Sequence, residues 1–164
     1  MANSDGYRVL HVTGAMNVGG TETMLMNIYR NIDRSKVQFD FISYSSGEAY
    51  YEEEIRSLGG QIIKLKNPRS ILQLIRAIRK YGPYQAIHAH TLFQCGIVMA
   101  AAALSGVKVR ISHAHTTQDR SEGWIRRLYM SMMRWFINRF STHLLYCSEA
   151  AGQYLYGEQS DPNK

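Results

Sequence analysis

The chain has 164 residues, enough for one domain, and its 45% hydrophobic and 20% charged content excludes wholesale disorder. Three prolines and two cysteines exclude a collagen-like or disulfide-stapled scaffold, and Cys95 and Cys147 have no metal-ligand spacing. The net charge of +6 is uneven: residues 1–60 carry −3, residues 61–140 carry +11 and the remainder −2, a pattern that favours a nucleotide, phospholipid surface or nucleic acid as partner.

The opening MANSDGYRVLHV does not read as a secretory leader, so the two thiols are expected in a reducing, cytoplasmic compartment. The longest apolar stretch, Cys95–Leu104, falls short of the roughly 20 residues that cross a bilayer.

In chain order, residues 7–13 (YRVLHVT) read as a buried strand. A glycine-rich turn follows at 14–20, then a helix with Met24, Leu25, Ile28 and Ile32 at helical spacing. Residues 37–44 (VQFDFISY) alternate as a strand, 47–58 read as an acidic helix closed by Gly59-Gly60, and 61–65 (QIIKL) as a third strand. Pro68 is placed to open a helix with the stripe Ile71, Leu74, Ile75 and Ile78, which Gly82-Pro83 ends. A fourth strand at 84–90, a small-residue helix at 91–104 suited to close packing and a fifth strand at 107–113 precede the polar loop 114–123. A basic, aromatic helix at 124–140, a sixth strand at 142–147 and a helix running from a Ser148 cap to Tyr156 complete the domain. No internal repeat or linker interrupts residues 1–157, and 158–164 form a polar tail. Alternating strands and helices predict right-handed βαβ units: an α/β, Rossmann-like, mostly parallel sheet of about six strands covered by helices on both faces.

Three features carry chemistry. A glycine turn after the first strand lies where open parallel sheets bind ligands, and the following helix adds its positive end. The turn lacks the lysine of a Walker loop, because Gly20 stands there, and Ala15-Met16 breaks the dinucleotide pattern; a ligand-free tight turn is its ordinary explanation. Next, the pairs His88/His90 and His113/His115 sit at the carboxyl ends of two strands, where alternate residues share a face and can chelate a metal. Asp119 is the one acidic residue near them in sequence. The ordinary explanation for His88 and His11 is a half-buried imidazole bonded to backbone, whereas His115, in a polar loop, is suited to donate to a substrate hydroxyl or orient an acceptor. The third feature is the helix at 124–140. Ile125, Leu128, Met132, Trp135 and Phe136 form its expected core face. Trp124, Met133, Arg126, Arg127, Arg134 and Arg139 are left to lie against an anionic membrane, with Arg69, Arg76, Arg79 and Lys80 extending the basic surface. No RNA-binding motif accompanies the aromatics.

The segments VLHVTGAMNVGGTETMLMNIYRNID, IHAHTLFQCGIVMAAAALSGVKVRISHAHT and LLYCSEAAGQYL together resemble the N-terminal domain of bacterial family 4 glycosyltransferases of capsular or exopolysaccharide type, over residues 7–157. The resemblance implies a GT-B fold of two Rossmann-like domains, hexosyl transfer with retention, and a nucleotide-sugar co-substrate, UDP-linked, with no metal or other cofactor. It places Gly19 and Gly20 near the donor, His115 at the reaction centre as the catalytic residue with Thr116 beside it, and Ser148 and Glu149 on the acceptor rim. The glycine turn itself adds Thr21 to the donor side, and the histidine rim adds His90 and His113 to the acceptor side. Trp124, Arg126, Arg127 and Arg134 are the membrane-facing set. A donor-binding domain is implied beyond Lys164, with 158–164 at the interdomain crossing, so residues 1–164 alone are expected to be inactive. The expected partners are the nucleotide-sugar, a glycan or lipid-linked acceptor, an anionic membrane surface at the inner face of the cell membrane and that second domain, without nucleic acid. Two other classes compete: a stand-alone Rossmann-like module binding a nucleotide or protein, and a metal hydrolase built on the two histidine pairs, weakened by missing carboxylate ligands.

Overall fold

A computed structural model describes residues 6–116 and 123–157. Its strands are β1 (Tyr7–Val12), β2 (Val37–Ser43), β3 (Ile62–Lys64), β4 (Ala86–Ala89), β5 (Val109–Ala114) and β6 (His143–Tyr146). Between and after them run helices α1 (Gly20–Asn31), α2 (Glu52–Ser57), α3 (Ile71–Tyr81), α4 (Cys95–Leu104), α5 (Trp124–Phe140) and α6 (Glu149–Tyr156). Every pairing is parallel and the order is β3-β2-β1-β4-β5-β6. The chain therefore winds outward from β1, returns, and winds outward again from β4, which leaves a crevice at the carboxyl ends of β1 and β4. This is the expected α/β, Rossmann-like sheet.

Helices stand on both faces, but unequally. On one face Leu10, Val12, Ile42 and Ile87 pack with Leu74 of α3, Met99 of α4, Met133 of α5 and Leu155 of α6. On the other, Val9, Phe39 and Phe41 pack with Leu25 and Met26 of α1 and Ile55 of α2. No described helix contributes to that second face over β4, β5 and β6, so alternate residues of those strands stay partly open there.

Several boundaries depart from the sequence reading, each for a local reason. The acidic helix shrinks from 47–58 to Glu52–Ser57, because Tyr50 N–H donates to Asn17 Oδ1 (3.0 Å) and Tyr51 N–H to the Met16 carbonyl (2.9 Å). Those amides are spent on the glycine turn rather than on a helical ladder. Ser70, not Pro68, opens α3: its Oγ accepts from Gln73 N–H at 3.3 Å. The helix expected from Thr91 opens instead with a short 3-10 turn, Leu92–Gln94, and Leu92 adopts φ 53°, a left-handed conformation that costs a non-glycine residue about 1–2 kcal/mol. The stripe of α3 is as read, with Leu74 and Ile78 buried and Ile71 and Ile75 packed beside them.

Two buried clusters tie neighbouring strands together. Asp40, fully buried on β2, accepts from the Arg8 guanidinium, from Tyr84 Oη (3.1 Å) and from Gln61 N–H (2.9 Å), tying β1, β2 and the entries to β3 and β4 together. Tyr156 Oη stands 2.7 Å from the carbonyl oxygens of both Ser112 and Leu145, clamping α6 to β5 and β6.

The small residues of α4 serve the close approach expected of them. A Cβ at Gly96 would lie 2.8 Å from the Met133 carbonyl oxygen and 3.1 Å from Phe136 Cβ, so α4 and α5 meet backbone to backbone. Gly96→Val should therefore lower the free energy of urea unfolding by about 2–3 kcal/mol through overpacking, while Ala103→Val, at a partly exposed α4 position, should cost under about 1 kcal/mol.

Candidate functional site

Parallel register brings five histidines together on the second sheet face. His11 on β1 is the register partner of His88 on β4, and His88 is the partner of Ile111 on β5. Each contact is made one step diagonally: His11 Nδ1 and His90 Nε2 are 3.2 Å apart, His88 Nε2 and His113 Nδ1 3.2 Å, and His90 Nδ1 and His115 Nε2 2.8 Å. His90 thus uses both nitrogens and links a buried ring, His11, to one at the end of β5, His115.

The environment changes along the chain of rings. His11 is 3% exposed and boxed by Phe39 (centroids 4.4 Å) and Phe41 (5.4 Å), under the cover of α1. His88, His90, His113 and His115 are half-buried, over the part of the sheet without helical cover. Burial pushes all five below the ordinary 6.5, and repulsion between imidazolium charges adds to it at His11, His88, His90 and His113. His11 falls to about 3, His88 to about 2 and His113 to about 4, with burial the larger cause in each. His90 is pushed well down, by burial first and then by the neighbouring rings, and His115 is lowered by burial alone. At neutral pH the rings are uncharged, each with one donor and one acceptor nitrogen.

This corrects the expectation that His11 and His88 bond to backbone: they bond to other imidazoles. The signal was present, since the tetrapeptide HAHT occurs at 88–91 and again at 113–116, and its offset equals the 25-residue separation of both β4–β5 histidine contacts. A four-residue echo is too short to read as a repeat, yet two adjacent strands made it one structural unit. The nitrogens of His11, His88 and His90, and those of His90, His113 and His115, lie within 4.8 Å of one another, so the pairs form one imidazole-rich surface rather than two separate chelates. Asp119 lies outside the described residues.

The glycine turn occupies the neighbouring end of the crevice. Met16 is fully buried and anchors it, with Tyr44 N–H donating to the Gly14 carbonyl (2.8 Å) and the Met16 carbonyl holding Tyr51. At Gly14 and Gly20 a Cβ would meet nothing within 4 Å and φ is not positive, so neither turn geometry nor crowding demands glycine; what glycine provides is bare backbone at the rim. Over Gly19, the cap of α1, stands the carboxylate of Glu22. Thr21 is partly exposed in the first turn and has no capping role.

The remaining site residues divide. Thr116 is exposed just beyond His115, and Ser148 caps α6 as expected, its Oγ accepting from Ala151 N–H at 3.2 Å with exposed Glu149 beside it. Helix α5 is rotated from its expected setting. Met133 and Ile137 face the core with Tyr129, Met130, Phe136 and Phe140, whereas Trp124 (74%), Ile125 (65%), Leu128, Met132 and Trp135 (59%) are exposed. Apolar residues run almost all round this helix, so periodicity could not choose between two stripes; the backbone contact at Gly96 chooses. Nor do Arg126 and Arg134 face outward freely. Arg126 lies over the rings of Tyr129 (5.3 Å) and Phe93 (5.9 Å), and Arg134 donates to the carbonyls of Tyr154 (2.8 Å) and Leu155 (3.3 Å), closing the end of α6. Trp124 and Arg127 do remain exposed.

Residues 18–164 match the family model described as Glycosyltransferase Family 4. The chain is 45% identical over 165 aligned residues to EpsF of Bacillus subtilis (strain 168), named as a glycosyltransferase, covering 96% of this chain and 43% of EpsF. It is 27% identical to the capsular polysaccharide biosynthesis glycosyltransferase CapH of Staphylococcus aureus, covering 96% of this chain and 45% of CapH. Among solved structures, HepE of Anabaena in complex with UDP superposes with a TM-score of 0.67 at 12% identity, covering 94% of this chain and 42% of HepE, a likeness of fold. The chain thus spans less than half the length of each.

The neutral imidazoles predict a pH dependence. In the unfolded chain each ring protonates near 6.5, whereas in the fold His11, His88 and His113 stay neutral down to about 3, 2 and 4. Below 6.5 the unfolded state therefore binds more protons, and stability, full above that value, is lost as pH falls toward the folded values. Urea unfolding should show stability falling by at least about 1.4 kcal/mol per pH unit below 6, with a slope reduced by about one proton in His11→Phe.

Proposed function

The chain belongs to glycosyltransferase family 4, and we propose that it is the acceptor-side half of a GT-B enzyme of surface polysaccharide biosynthesis. In this reading the whole protein moves a hexosyl group from a nucleotide-sugar to a glycan or lipid-linked acceptor, with retention and without a metal. The observation that carries it is the family match over 18–164, which takes in the GG turn, both HAHT segments and the Ser148 cap. The crevice at β1 and β4 and the UDP in the HepE structure support a UDP-linked donor approaching Gly19, Gly20 and Thr21. His115 faces the reaction centre, with His90, His113, Thr116, Ser148 and Glu149 around the acceptor.

The second partner is an anionic membrane at its cytoplasmic face. Its support is the outward apolar strip of α5, Trp124, Ile125, Leu128, Met132 and Trp135, beside exposed Arg127 and within a segment of charge +11. Arg69 of the turn before α3 reaches over Tyr129 (5.9 Å), so the basic and aromatic surfaces are continuous. No described helix is long and apolar enough to cross a membrane, and the strip suits an interfacial seat.

Two measurements test this. With the full-length enzyme and a panel of sugar nucleotides, one donor should support transfer, His115→Ala should lower kcat by about 100-fold or more, and 1–164 alone should give no turnover. Gly20→Gln should raise KM while leaving the melting temperature nearly unchanged; robust turnover by 1–164 would sink the half-enzyme reading. In vesicle co-sedimentation, the protein should follow acidic but not neutral liposomes, and Trp124→Ser with Trp135→Ser should weaken that binding roughly tenfold or more.

A further inference from the structure

Among three neutral rings joined by two bonds, the middle ring sets a direction. If His11 donates from Nδ1, His90 accepts at Nε2, must carry its proton on Nδ1, and donates to His115 Nε2; His115 is then also protonated on Nδ1. In the reverse direction all three carry the proton on Nε2. Mixed states break a bond, so the three tautomers are coupled. The two directions differ at the inner end, where His11 Nε2 is buried with no hydrogen-bond partner among the described residues. One direction leaves a lone pair there and the other an N–H. Orphaned buried donors are rarer than under-used acceptors, so the direction that leaves a lone pair at His11 Nε2 is the favoured one.

We propose that His11 and His90 are positioning residues that hold His115 in the Nδ1–H tautomer, making its free nitrogen a fixed hydrogen-bond donor to an oxygen-rich substrate. Imidazole side chains in water favour Nε2–H, so the fold selects the less common form. The substrate part rests on the transferase reading above; the tautomer does not. The three-nitrogen clusters could instead serve a metal, and that is an outcome of the test.

The test is a long-range 1H–15N imidazole spectrum of the 15N-labelled 164-residue protein at neutral pH, with each ring assigned by substitution. The expected result is Nδ1–H for His11, His90 and His115. His11→Phe, which fits between Phe39 and Phe41, should return His115 to a tautomer mixture, and His90→Gln provides an independent break should the first variant fold poorly. Nε2–H or averaged tautomers at His115 in the unsubstituted protein would overturn the proposal. So would a His115 spectrum unmoved by both variants, or stoichiometric zinc that shifts these nitrogens to metal-bound positions. Because the spectrum needs no sugar nucleotide, an inactive full-length enzyme with Nδ1–H intact would remove the transferase reading and leave the positioning role standing.

Discussion

The parallel register of β1, β4 and β5 is the constraint on which the rest of the site depends. Alternate residues of a strand share a face, and adjacent parallel strands carry that face across the sheet, so His11, His88, His90, His113 and His115 have no choice but to meet. Once they meet in a partly dry environment, charge is excluded and the neutral rings hydrogen-bond to one another. Two of the three contacts that result, His11–His90 and His90–His115, run outward from the covered half of the sheet to its open half. A slip of one residue between β4 and β5 would turn His113 and His115 into the opposite core and replace an imidazole surface with Ser112 and Ala114.

The scaffold protects that register from both ends. Buried Asp40, midway along β2, holds Arg8 near the start of β1, Tyr84 ahead of β4 and the backbone entering β3. Removing one partner of such a pair leaves an uncompensated buried group, typically a loss of about 3–5 kcal/mol. At the opposite side, Tyr156 grips β5 and β6 while α4 and α5 touch through Gly96. Arg134 belongs to this framework: a residue with the charge expected of a membrane ligand instead satisfies the carbonyls at the end of α6.

Much of the fold was legible in the sequence because its signals are local. Short β-branched runs, the Ser148 cap and the α3 stripe each depend on a few neighbouring residues, and all six strands lie where such runs fall. Non-local interactions account for what was not legible. The acidic helix lost its first turns to hydrogen bonds with Asn17 and Met16, both more than thirty positions away. The orientation of α5 was decided by a glycine on another helix. The histidines were visible as pairs, and their carboxyl-end positions followed from the strand pattern. Their bonding to one another, with His11 as the inner terminus, required the strand order β1-β4-β5, which no single-strand pattern contains.

The carboxylate of Glu22 over Gly19 bears on how the glycine turn responds to substitution. The amino end of α1 carries exposed amide dipoles, and the chain has set one of its own anions against them. A methyl group at position 19 would not plug this end of the crevice; it would evict a flexible side chain and leave the dipoles bare. Gly19→Ala would therefore make the helix end more electropositive, so a conservative enlargement acts there as a change of charge.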